Sequence, residues 1–110
     1  MARRRAEKLR APDVEYRSED GVLVLRAAMT PKTRMAYREI GGVREDAWQR
    51  QVEFLFERLA VSWTIADAEP LTRQRDLLAR YRFAVSEERA WIRAVLREHV
   101  TEHFPELPAP

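Results

Sequence analysis

His99-Val100-Thr101-Glu102-His103 is the stretch of this chain whose residue types and spacing come nearest to metal chemistry. Two imidazoles at i and i+4 share one helix face and can grip a zinc ion, with a carboxylate between them for acid–base work. The rest of such a site is missing. The string ends two residues before Pro105, and only seven residues follow His103, whereas a third ligand should come well downstream. His99 also falls beside Val95 and Leu96 on an apolar face, the usual place of a hydrogen-bonded structural histidine. The expectation is therefore no metal and no cofactor. Other chemistries fare no better. The three glycines, at 21, 41 and 42, suit a turn and a helix stop rather than a phosphate loop. Ser86 reads as a helix cap, Ser62 rides a helix, and no nucleophile–histidine–acid trio can be assembled. No catalytic residue is predicted, and the chain reads as a protein that is not an enzyme.

The element that would position everything else is a long helix predicted from Arg44 to Ile65. At about 100° per residue, Trp48, Val52, Leu55, Phe56, Leu59 and Trp63 fall on one side of it. A narrower apolar line, Ala47, Phe54, Val61 and Ile65, runs nearly opposite, with Arg50, Glu53, Glu57 and Arg58 between. A helix that only covered a core would not need the second line. It is either sandwiched within a bundle or shows an apolar strip to another chain. Phe54, Val61 and Ile65 are thus expected at a partner contact. Trp63, at one end of the main face, and Trp91, at the flank of the last helix, join them because tryptophan divides between interiors and interfaces.

Charge is unevenly placed. Of 20 basic and 18 acidic residues, five bases (Arg3, Arg4, Arg5, Lys8, Arg10) and one acid (Glu7) lie in residues 1–12, leaving 15 bases and 17 acids for the body. A nucleic-acid reader normally spreads positive charge over a folded face, and this body is slightly acidic, which argues against nucleic acid as the main partner. Residues 1–12 read as a flexible basic arm. With 110 residues, 45% of them hydrophobic and 35% charged, the chain has material for a single soluble domain, expected over 13–104. No run approaches the ~18 apolar residues of a membrane span, and the charged start does not read as a secretory signal. Without cysteine there is no disulfide or thiolate metal site, which suits a cytoplasmic setting.

The remaining elements follow from punctuation. Val14 and Tyr16, then Val22 to Leu25, flank Ser18-Glu19-Asp20-Gly21, the pattern of a β-hairpin. Two strands alone are marginal in water, so the hairpin must pack on helices or take a strand from another subunit. Thr30-Pro31 opens a helix that runs to about Ile40, with Met35, Ala36 and Ile40 inward, and Gly41-Gly42 stops it. A linker at about 66–70 ends at Pro70, and a short helix from a Thr72 cap uses Leu71, Leu77, Leu78 and Tyr81. Ser86, followed by Glu87 and Glu88, starts a last helix that ends near His103, and 105–110 form a proline-rich tail. The fold expected is mainly α: a small bundle of about four helices with an N-terminal β-hairpin.

In this order the elements resemble the small tail assembly chaperones of long-tailed (siphovirus-type) phages and prophages. The likeness rests on Val22-Leu23-Val24-Leu25-Arg26 running into Met29-Thr30 and a helix, and on the helix from Phe54 to Leu59 that ends in Val61-Ser62-Trp63. It rests also on the acidic linker Asp67-Ala68-Glu69-Pro70-Leu71 and the short helix leading to a terminal one, and it spans roughly residues 22–100. Glu69 stands where that group often carries glycine, and the Arg-rich arm is not a feature of the group. The resemblance implies a non-enzymatic chaperone that coats the tape-measure protein, recruits tail-tube protein, acts in the host cytoplasm during assembly and is absent from the finished particle. Such a protein is expected to self-associate into a homo-oligomer. Two other readings stay open: a structural head–tail connector or completion protein, and a nucleic-acid-binding accessory that uses the basic arm.

Overall fold

The computed structural model describes residues 11–40 and 46–110. Most of the basic arm, the Gly41-Gly42 helix stop and the predicted helix start at Arg44 lie outside the described residues. Strands β1 (Val14–Arg17) and β2 (Gly21–Leu25) form the hairpin, followed by helices α1 (Pro31–Ile40) and α2 (Ala47–Leu59), strand β3 (Ala60–Ile65), and helices α3 (Gln74–Arg82) and α4 (Ser86–His103). The three strands make one antiparallel sheet in the order β1-β2-β3. Among the described residues the architecture is mixed α/β, four helices with a three-stranded sheet, rather than a helical bundle.

The difference lies in one junction. The long helix expected to reach Ile65 stops at Leu59, and the next six residues turn into β3 with no loop between. Ala60 takes extended dihedrals (φ −65°, ψ 124°) while its N–H still donates to Phe56 O, so it is at once the last helical donor and the first strand residue. Neither glycine nor proline marks the place. Val61, Thr64 and Ile65 are β-branched and fit a pleated surface better than a helix interior. The open edge of β2 supplies what an isolated sequence window does not show: a ladder that pairs Gly21 with Ile65, Val22 with Thr64, Leu23 with Trp63 and Val24 with Ser62. Leu25 then pairs with Ala60, so Val61 is the extra residue of a β-bulge. Arg26 N–H continues the pairing to Leu59 O at 2.8 Å. The hairpin is completed by the chain's own third strand, not by one from another subunit.

Gly21 shows why the hairpin turn needs glycine. No described glycine has positive φ, so the reason is not the left-handed turn conformation. A Cβ at Gly21 would stand 2.3 Å from the Thr64 carbonyl oxygen of β3, so the third strand could not come this close. Beyond β3, Ala66 adopts φ 52°, and the chain folds back until Leu71 pairs with Trp63 in both directions, at 3.0 and 2.9 Å. Leu71 thus closes part of the outer edge of β3 instead of joining a helix. The short helix starts later than its expected Thr72 cap: Arg73 occupies the cap position, with no side-chain cap bond.

The helices pack against the Leu23 and Leu25 side of the sheet. Leu55, Phe56 and Leu59 from α2 meet Ile92, Leu96 and Val100 from α4 in a single core, with Phe104 and Leu107 extending it past the last helix. Thr30 caps α1 as expected, its Oγ1 accepting Thr33 N–H at 3.1 Å. Ser86 begins α4 but does not cap it; Val85 holds the cap position, and the Glu88 carboxylate accepts Val85 N–H at 3.0 Å. On α1 the inward residue is Tyr37, fully buried, whereas Met35, expected inward, is 61% exposed. The proline-rich end packs on the body too: the Tyr37 hydroxyl donates to Pro108 O, and Arg34 pairs with Glu106. No helix among the described residues is long and apolar enough to cross a membrane.

Candidate protein-binding groove

The apolar residues picked from sequence do not form one strip. Val61, Trp63 and Ile65 sit on β3, and all but Trp63 are half-buried. Trp63 is buried, edge-on to Phe56 (centroids 5.6 Å apart), with the Arg80 guanidinium 5.2 Å from its ring centroid. It is a core residue. Trp91 is half-buried against the core from α4. The line Ala47, Phe54, Val61, Ile65 existed only on the premise of an unbroken helix, and Ala47 is buried. With α2 ending at Leu59, Phe54 alone of the partner picks stays on a helix face that opens to a groove.

That groove has a volume of about 1370 Å³. Helix α2 gives its floor, with Trp48, Glu53, Phe54 and Glu57. Helix α1 gives one side (Ala36, Glu39, Ile40) and α4 the other (Arg89, Ala90, Arg93, Ala94, Arg97), with Tyr81 of α3 at one end. Trp48, expected on the buried face, is 36% exposed and carries the Arg93 guanidinium 3.9 Å from its ring centroid. That is close cation–π contact, which holds the indole in place while leaving part of it to solvent. Phe54 leans on Tyr37 (centroids 6.2 Å, planes 37° apart), and Arg58 lies 5.0 Å over it. Burial pushes the Tyr37 phenol up to about 12, so it stays a neutral hydrogen-bond donor beneath the groove.

Opposite charges face one another across the groove, with Arg50 on α2 beside the glutamates. Arg89, Arg93 and Arg97 repeat every four residues and so line one face of α4, while Glu39, Glu53 and Glu57 face them from α1 and α2. Several of these groups are already oriented. Arg89 donates to Arg82 O (2.7 Å) and Ala84 O (3.1 Å), and lies 5.2 Å over the Tyr81 ring. Arg97 donates to Pro110 O at 2.7 Å, with Arg93 at 3.5 Å. Glu53 accepts Arg82 at 2.6 Å, and this hydrogen bond raises the guanidinium pKa above its ordinary value. Alanines at 36, 90 and 94 keep the walls low enough for a backbone to approach. Just beyond Tyr81, the α3–α4 turn exposes the apolar residues Phe83 (84%) and Val85.

His99 lies elsewhere, under the sheet. It is fully buried, with Nε2 2.8 Å from Arg26 O and Nδ1 2.8 Å from the Tyr16 hydroxyl. A carbonyl only accepts, so Nε2 carries the proton, Nδ1 is the acceptor, and the Tyr16 O–H donates to it. Burial, with His103 adding, holds the imidazole below its ordinary value against the opposing pull of Arg26 O and Glu102. Both ring nitrogens are engaged, so neither has a lone pair to offer a metal. His103 is near, its ring centroid 4.7 Å from that of His99, yet no group of three or more His, Cys, Asp or Glu among the described residues is arranged to hold an ion. The H-x-x-E-H string thus yields a structural histidine latching α4 to β1 and to the segment after β2. No family model, curated protein or solved structure matches this chain.

Proposed function

We propose that this protein is a non-enzymatic assembly factor that seats an amphipathic helix of a partner in the α1–α2–α4 groove, in the manner of a phage tail assembly chaperone. The observation that carries the reading is the groove itself: part-exposed Trp48 and half-buried Phe54 on its floor, alanines on both walls, and arginines facing glutamates across it. A helix about 10 Å across would occupy this volume over roughly three turns. Its apolar stripe would meet the aromatic floor, its acids the arginine wall and its bases the glutamate wall, the helix-in-groove mode of recognition. The lining offers hydrogen bonds and apolar contact, which suit gripping a helix. The tape-measure protein of a long phage tail is rich in such helices, and the tail-tube protein is the second partner this reading names.

Co-expression tests it. The tape-measure protein from the same genome should aggregate alone and stay soluble with the wild-type chain, and mass spectrometry of purified particles should find the chain absent. A tape-measure protein that is equally soluble with and without the chain would overturn the reading. Finding the chain in stoichiometric amount in finished particles would replace it with the head–tail connector.

A further inference from the structure

β1 is an edge strand, and its outer side has a definite pattern. Ser18 N–H donates to Gly21 O at 2.9 Å, which makes Ser18–Gly21 a hydrogen-bonded pair. Alternation along the β1–β2 register then makes Tyr16–Leu23 and Val14–Leu25 hydrogen-bonded pairs as well. The backbone N–H and C=O groups of Glu15 and Arg17 therefore point away from β2, toward the open edge. On the sheet face opposite the helices, the Glu15 and Arg17 side chains stand side by side, 2.9 Å apart and largely exposed. Among the described residues no strand pairs with this edge, and open edge groups of this kind are a template for another strand.

We infer that β1 pairs antiparallel with β1 of a second copy about a two-fold axis at Tyr16, joining two three-stranded sheets into one of six. In that register Glu15 of each copy lies opposite Arg17 of the other, as a hydrogen-bonded pair on both sides of the axis. Four backbone hydrogen bonds form, and both charge pairs are of opposite sign, the arrangement that stabilises cross-strand neighbours. The alternatives that keep the outward groups matched are worse. Within the strand itself, moving the axis to Glu15 sets that carboxylate against its own copy, and moving it to Arg17 sets guanidinium against guanidinium; just outside it, the Tyr16 register sets Asp13 against Glu19, which weakens the pairing. Among the strand residues Val14–Arg17, charge thus favours the Tyr16 register. This surface lies on the sheet edge, apart from the α1–α2–α4 groove, so it goes beyond the reading above and stands or falls separately. The short strand makes a small interface of the weak, reversible class. Glu98 and Glu102 are near enough to the Tyr16 hydroxyl to act on it through charge.

Sedimentation velocity on the full chain, over a hundred-fold range of concentration, tests this. The wild type should move from its monomer mass of 13.0 kDa toward twice that value as concentration rises. Arg17→Glu puts four carboxylates around the axis and should leave a monomer throughout, with unchanged circular dichroism because the side chain is exposed. The reversed pair Glu15→Arg with Arg17→Glu is again self-complementary and should dimerise as the wild type does. A wild type that is monomeric at every concentration overturns the proposal, and so does a dimer indifferent to Arg17→Glu. Failure of the double variant to restore the dimer overturns the register.

Discussion

Replacing His99 by leucine removes both polar ends of the latch while keeping its volume roughly filled. Arg26 O loses its donor inside the fold, and the Tyr16 hydroxyl loses its acceptor. An unsatisfied buried group costs about 1–3 kcal/mol, and Tyr16, half-buried, has partial recourse to water. Together these come to about 2–4 kcal/mol, a fall of roughly 8–16 °C in melting temperature at about 4 °C per kcal/mol for a domain of this size. Urea unfolding at pH 7.5, followed by circular dichroism, measures it. Tyr16→Phe should cost about 1 kcal/mol, and the double variant should cost less than the sum of the singles because they share one hydrogen bond. Acid separates this from a generic core defect. Burial lowers the folded pKa of His99, so as pH falls below the ordinary 6.5 the unfolded chain binds a proton the folded chain resists. That stability is present above 6.5 and is lost as pH drops toward the lower folded value, with a slope of up to about 1.4 kcal/mol per pH unit. His99→Leu should remove this part of the acid sensitivity. A variant as stable as wild type at pH 7.5, or one with an undiminished loss between pH 6.5 and 5, would refute the tautomer and burial argument.

Three further substitutions probe the parts of the fold that sequence left unread. Gly21→Ala should cost more than about 2 kcal/mol and weaken hydrogen-exchange protection in β3, because its methyl meets backbone rather than a yielding side chain. Ala66→Gly should raise stability by about 0.5 kcal/mol in urea unfolding, since relief of the left-handed conformation at φ 52° outweighs the extra freedom of the unfolded chain. Leu107→Ala should destabilise by about 2 kcal/mol if the proline-rich end belongs to the core, and by nearly nothing if it is a loose tail.

The legible and illegible parts of this chain divide along local and non-local physics. The hairpin, the Thr30-Pro31 helix start and the Ser86–His103 helix all carry their signals within a few residues, and all are present. The α2–β3 junction is different. Trp63 continues the helical face and also fits the strand alternation, and short apolar runs support either period. What decides is the edge of β2, some forty residues away. Val61, Trp63 and Ile65 go to β3 with that decision, leaving Phe54 as the member of the set that lines a groove. Trp48 and Met35 were misplaced for a related reason: periodicity says which residues share a face, not how far the neighbouring helices cover it. The Arg89, Arg93, Arg97 line was legible as i, i+4, i+8 spacing, but its meaning depends on glutamates brought opposite by α1 and α2. The buried, hydrogen-bonded state of His99 accords with its apolar neighbours, although its partners, Tyr16 and Arg26, lie more than seventy residues away.

The central claim is that the Trp48 and Phe54 floor receives a partner helix. Isothermal titration of an amphipathic helical peptide from the tape-measure protein into the wild type and into Trp48→Ala tests it most directly. The indole is part-exposed, so the variant should remain folded, with an unfolding midpoint close to wild type. The account predicts saturable binding by the wild type and at least a tenfold weaker affinity in the variant, about 1.4 kcal/mol, as expected for a tryptophan at the centre of a contact. Equal affinity in the two proteins, or no binding by a folded wild type, would contradict it.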